Sequence, residues 1–110
     1  MDTVRIKLDY MSGPIWQDYF DEKTNTLSSG IEIVDKDEKL QVICKEISDL
    51  YDSYYSFKDN DQTYVFDVEK EKLDKNKMLR LLSQLNSRLA EINDGSFIIE
   101  DEETPRINNL

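Results

Sequence analysis

The sequence predicts an α+β fold in which an antiparallel sheet, a three-stranded N-terminal meander plus a short C-terminal strand, packs against two long helices. Three observations lead there. Val4, Ile6 and Leu8 alternate with Arg5, Lys7 and Asp9, the period of a strand with one buried face. Leu40, Ile43, Cys44, Ile47, Tyr51 and Tyr54 return every three or four residues, the period of a helix with one apolar stripe. After a polar break, Leu73, Met78, Leu82, Leu85, Leu89 and Ile92 form a second such stripe.

Residues 1–34 read as the meander. Ser12-Gly13-Pro14 turns the chain out of the first strand. Residues 15–20 make a second, aromatic-rich strand in which Trp16 is assigned to the core, and residues 27–34 resume alternation through Ile31 and Ile33 as a third. Asp35 followed by Glu38 resembles a capping box, so helix one is expected over residues 36–56. The polar residues 58–62 end it, and residues 63–66 form either a short strand or the lead-in to the next helix. Asp67 is the expected N-cap of helix two over residues 67–94, with Leu73 on its inner face and Asn93-Asp94-Gly95 as its stop. Residues 96–101 give the last short strand, and residues 104–110 a frayed tail. One domain accounts for the whole, since no repeat or linker interrupts it.

Composition narrows the chemistry. There are 24 Asp and Glu against 14 Lys and Arg, a net charge of -10, with no histidine and one cysteine. Zinc has no ligand set, and a serine or cysteine nucleophile has no histidine to activate it, so the chain is not expected to be an enzyme or to hold a cofactor or metal. Asp59, Asp61, Thr63 and Asp67 superficially resemble a calcium loop. Tyr64 stands where glycine is needed, however, and Lys70 where a bidentate glutamate is needed. Cys44 lies on the apolar stripe and reads as a small core residue, which fits a reducing compartment. The N-terminus alternates rather than forming an apolar run, and no stretch is long enough to span a membrane, so a cytoplasmic protein is expected.

Direct binding of nucleic acid is disfavoured, because phosphate repels such a surface. The charge is uneven: between positions 68 and 88 Lys70, Lys72, Lys75, Lys77, Arg80 and Arg88 outnumber Glu69, Glu71 and Asp74. That helix reads as a solvated face with pairs such as Glu71 and Lys75 four residues apart.

The segment from Ser48 to Asp67 interleaves carboxylates with aromatic rings. Tyr51 and Tyr54 fit the core stripe, whereas Tyr55 falls about 100° further round. Exposed tyrosine ringed by carboxylates suits contact with a basic protein, the ring as anchor and the charges as guides. The candidate partner-binding residues are Asp49, Asp52, Tyr55, Asp59, Asp61 and Tyr64. The other reading of the same rings is that they close one end of the core.

Two segments, Leu8-Asp-Tyr-Met-Ser-Gly-Pro-Ile-Trp and Glu91-Ile-Asn-Asp-Gly-Ser-Phe, together with the acidic skin and the α+β layout, resemble the small immunity proteins of polymorphic and contact-dependent bacterial toxin systems. The resemblance implies neutralisation of a cognate toxin domain by tight binding. A nuclease is the expected target, because it must grip phosphate with cations that an acidic surface can mask. Two alternatives are a phage-type DNA mimic that inhibits a nucleic-acid-binding protein and a small enzyme of another kind. The basic second helix argues against the mimic, and nothing in the composition indicates a homo-oligomer.

Overall fold

A computed structural model describes residues 2–10, 13–16, 31–57 and 64–110. Alternation places Val4 and Ile6 on the inner face of β1 (Asp2–Ile6), where neither retains exposed surface. β2 (Ile15–Trp16) runs antiparallel to it, with Ile6 opposite Ile15.

The third strand of the expected meander is not found among the described residues. Residues 27–30 lie outside them, and Ile31 leads into a single helical turn, α1 (Glu32–Asp35). Ile31 and Val34, three apart, are buried while Ile33 faces solvent. The pattern there has a helical period that the pair Ile31 and Ile33 disguises. The sheet is completed instead by β5 (Phe97–Asp101), which pairs with β1 from Asp2 opposite Phe97 to Ile6 opposite Asp101. That pairing is parallel, so the order β2-β1-β5 makes a mixed sheet rather than an antiparallel one. A parallel partner needs a long crossover, and here every intervening helix belongs to it. On the outer face Arg5 Nε donates to Glu100 across the two strands at 3.0 Å.

Helix one is shorter than its stripe suggests. Asp37, not Asp35, caps α2 (Glu38–Asp52), its carboxylate accepting from the Leu40 N–H at 2.9 Å. The helix ends at Asp52, and the chain turns into β3 (Tyr55–Phe57), which pairs antiparallel with β4 (Tyr64–Phe66) in a separate two-stranded sheet.

Helix two is divided. α3 (Val68–Leu73), capped by Asp67 through the Lys70 N–H at 3.0 Å, stops at Asp74, and α4 (Lys75–Ile92) starts from that residue. Leu73, expected to point inward, is 84% exposed, and the buried position on α3 belongs to Glu71 at 2%. The expected pair of Glu71 with Lys75 is replaced by contacts to the chain's last helix.

That helix, α5 (Glu103–Asn108), occupies the residues expected to fray, and its Ile107 is fully buried. Asp101 starts it, accepting at 2.9 Å from the N–H groups of both Glu103 and Thr104. Arg106 reaches Glu71 with both terminal nitrogens, at 3.3 and 3.0 Å, and Glu103 with Nε at 2.5 Å. Glu103 in turn accepts from the Leu8 N–H at 2.9 Å. Lys75 Nζ donates to the Asn108 carbonyl at 2.9 Å, satisfying an end that α5 cannot satisfy itself. A continuous chain of charged contacts therefore ties α3, α5 and the end of β1 together.

A second ionic clamp joins the antiparallel helices α2 and α4. Arg88 donates to both oxygens of Asp37, at 2.8 and 2.5 Å. These bonds, chiefly, hold the Asp37 carboxyl at about 2, below its ordinary 3.8. A carboxyl whose pKa is lower folded than unfolded contributes stability that is complete above its unfolded pKa, about 4, and lost as the pH falls toward 2. Asp37→Asn retains a capping oxygen but not the charge. The variant is expected to flatten the fall of stability between about pH 4 and pH 2, and acid unfolding followed by circular dichroism measures it. An equally steep fall in the variant would assign the acid sensitivity to other carboxylates.

Candidate functional site

The C-terminal half of α2 carries Glu46, Asp49 and Asp52 within two turns. Asp49 is exposed and pairs along its own helix with Lys45 at 2.8 Å, while Asp52 is half-buried. The apolar stripe of the same helix fixes this placement: with Ile47 and Tyr51 drawn into the core, positions 46 and 49 turn outward.

Tyr55 is half-buried, and it is held rather than free. Its ring lies 4.7 Å from that of Tyr10, 5.6 Å from Tyr51 and 5.0 Å from Phe66, and its hydroxyl is 3.3 Å from that of Tyr51. Tyr51 and Tyr54 are buried beneath it, so these rings close one end of the core. Replacing Tyr55 would therefore disturb packing as well as any contact, whereas Asp49 can be changed with little cost to the fold. Tyr64 lies in β4 opposite Phe57. Asp59 and Asp61 lie outside the described residues, as do the details of the Tyr64 side chain. Of the six candidates, the structure thus places Asp49 and Asp52 on one helix end, with Tyr55 in the aromatic cluster next to it.

Within that cluster the Tyr54 hydroxyl is buried with no hydrogen-bond partner among the described residues. Burial, followed by the neighbouring carboxylates Asp74 and Glu71, pushes its phenol well above the usual range. Lys70 Nζ lies 5.0 Å above the ring centroid and compensates the face, not the hydroxyl. A buried, unpartnered hydroxyl is costly, so Tyr54→Phe is expected to stabilise the protein by about 1 kcal/mol, read as a higher urea midpoint. A lower midpoint would show that the hydroxyl is satisfied by water.

Asp49 also lines a cavity of about 560 Å3 between α2 and the α3–α4 segment. Glu46, Asp49, Leu50 and Ser53 line it from the α2 side and Lys70, Lys77 and Leu81 from the other, with Lys70 Nζ donating across it to Ser53 Oγ at 3.0 Å. Glu46, Lys70 and Lys77 were not among the candidate partner-binding residues, although Lys70 and Lys77 belong to the basic stretch noted in the sequence. Their signal was present: Glu46, Asp49 and Ser53 recur at helical spacing beside the apolar stripe, where a helix meets its neighbour.

Many of the other carboxylates have local tasks. Asp37, Asp67 and Asp101 cap helices, Asp94 orders the turn before β5, and Glu71 and Glu103 hold Arg106. Internal pairing leaves the net charge at -10, so the field felt at a distance persists. Among the described residues no group of three or more Asp, Glu or Cys side chains is placed to hold a metal ion, and no helix is long and apolar enough to cross a membrane. Burial pushes the Cys44 thiol up to about 12, which removes it as a nucleophile at neutral pH.

No protein-family model matches the chain, and comparison with curated proteins and with solved structures finds nothing similar to it. The functional reading rests on the surface alone.

Proposed function

We propose that the protein is an inhibitor of the immunity type, which acts in the cytoplasm and neutralises a basic toxin domain, a nuclease, by binding it through the acidic end of α2 and the adjoining hairpin. The observation that carries this reading is the exposure of Glu46 and Asp49, with Asp52 beside them, on a rigid helix of a protein whose net charge is -10. A nuclease concentrates cations where phosphate binds, so such a surface both attracts it from a distance and covers the site it needs. Lys70 and Lys77 beside the acidic wall do not suit a DNA mimic, whose carboxylates must run uninterrupted at phosphate-like spacing.

The test starts from the genes adjoining this chain's own, where a basic toxin domain is expected, and measures growth of bacteria expressing that domain with and without the chain; adjoining genes that encode no such domain would count against the proposal. Protection is expected, together with an equimolar complex whose association rate falls as salt rises. Glu46→Lys with Asp49→Lys, both at exposed positions, should slow association about tenfold while leaving the fold intact. Absence of both protection and binding would overturn the proposal.

A further inference from the structure

The principal sheet has two edges of unequal kind. β2 is two residues long, whereas β5 presents five, Phe97–Asp101, paired with β1 in a continuous register. The Asp2 N–H donates to the Ser96 carbonyl at 3.2 Å and the Glu102 N–H to the Ile6 carbonyl at 3.3 Å, so the even-numbered residues of this stretch turn their main-chain groups toward β1. Phe97, Ile99 and Asp101 turn theirs away from it. Asn93 Nδ2 takes up the Phe97 carbonyl at 3.0 Å, but the N–H and carbonyl of Ile99 have no hydrogen-bond partner among the described residues.

Edges of this length are usually blunted by lysine, proline or a bulge, because a row of open N–H and C=O groups is a template for another strand. β5 has none of the three: its sequence is Phe97-Ile-Ile-Glu-Asp, and its register with β1 runs without interruption. Its outer face carries Ile98, 48% exposed, and Glu100, whose side chain stays 49% exposed although Arg5 bonds it from the β1 side. The charges on the strand are all acidic, so they select among incoming strands by sign. A second copy is a poor match. The antiparallel pairing that uses all five residues is centred on Ile99 and sets Ile98 against Glu100 and Phe97 against Asp101, an apolar residue facing a carboxylate at every position but the centre. It also brings together two chains that each carry a net charge of -10.

We infer that the free edge of β5 binds an extended, basic segment of a partner protein as a fourth strand of the β2-β1-β5 sheet. Strand addition draws its affinity from main-chain bonds and its specificity from alternate side chains. Here the bonds are those of Ile99, and on the outer face an antiparallel segment lays two alternate residues beside Glu100 and Ile98. A lysine or arginine suits the first and a β-branched residue the second, so the incoming sequence reads cation, any residue, β-branched residue. The inference goes beyond the inhibitor reading, since it requires a basic partner but neither a toxin nor the end of α2.

The probe is a synthetic peptide, acetyl-Thr-Lys-Val-Val-Thr-Lys-amide, titrated into the full chain and followed by amide chemical shifts and hydrogen exchange. In the free protein the Ile99 amide is expected to exchange about tenfold faster or more than those of Ile98 and Glu100, which face β1. The peptide should shift the Ile99 and Asp101 resonances and slow exchange at Ile99 about tenfold or more. Ile99→Pro removes the outward N–H without breaking a bond to β1, and Ile98→Lys puts on the exposed face the residue that guards natural edges. Each variant should bind the peptide about tenfold more weakly or worse while still unfolding cooperatively; should the proline variant fail to fold, the lysine variant decides alone. An Ile99 amide as slow as its neighbours in the free monomer would mean that the chain covers its own edge, and would overturn the inference. A peptide that leaves Ile99 unchanged, or that binds both variants as tightly as the wild type, would overturn it too. A free protein that sediments as a dimer, and as a monomer with Ile98→Lys, would assign the edge to a second copy and overturn the basic segment as its occupant. None of these results bears on the inhibitor reading, and failure of the growth test would leave the edge inference standing.

Discussion

A chain ending after Glu102 is expected to lose its cooperative unfolding transition altogether. The eight residues removed look dispensable in the sequence, being polar, proline-containing and terminal. In the fold they supply Ile107, which has no exposed surface, and Arg106, which satisfies the buried Glu71. Losing a fully buried isoleucine costs about 2 to 5 kcal/mol, and leaving a buried carboxylate without its cation costs several more. Set against a total stability of about 5 to 15 kcal/mol for a domain of this size, the sum removes most or all of it. Urea titration of the truncated chain decides the matter. A midpoint within about 0.5 M of the full chain, for a typical urea slope, would mean that α5 is only an ornament on a self-sufficient core.

The second large effect is expected at a single position. Arg106→Leu keeps the aliphatic bulk of the side chain but leaves Glu71, at 2% exposure, facing the protein interior as an unmatched charge. Breaking a buried pair in this way costs about 3 to 5 kcal/mol; because the Arg106 side chain is itself 41% exposed, the lower end applies, about 3 kcal/mol. The pair need not be better than an apolar contact. Removing Glu71 as well, as Arg106→Leu with Glu71→Met, should therefore regain part of the loss, the rest remaining because Glu103 still lacks its cation. With Glu71→Met alone added, the four unfolding curves form a double-mutant cycle, and a double variant less stable than Arg106→Leu alone would show that Glu71 has a further partner that matters more.

These two positions also mark the limit of what could be read in the sequence. Strict alternation made β1 legible, since a period of two with charged residues between has few other solutions. The stripes of α2 and α4 were legible for the same reason, and the acidic residues on their outer turns followed from them. The sheet's pairing was not, because β1 and β5 are joined only by contacts across nearly the whole chain, and no local pattern records direction. The turn around Ile31 failed for a subtler reason: in Ile31-Glu32-Ile33-Val34 a period of two and a period of three fit equally well.

For α5 the signs existed and were weak one by one. Asp101 and Thr104 can cap, Pro105 is tolerated in a first turn, and Ile107 and Leu110 are three apart. Among the candidate contact residues, Asp49 and Asp52 followed from helix geometry. Tyr55 was ambiguous because helix one ends before it, so its direction is set by a strand whose partner lies beyond an intervening loop.

The strand at the middle of the principal sheet is made before either of its partners and is completed only by the later of them. Residue 97 leaves the ribosome about 95 residues after residue 2, which at about 5 to 20 residues per second is a delay of roughly 5 to 20 s. For that time Val4 and Ile6 have no parallel neighbour to lie against, and a nascent chain can gather α2 and α4 but cannot close the sheet around them. The principal sheet therefore closes only once β5 has been made, and a chain interrupted before it leaves Val4 and Ile6 without their parallel partner.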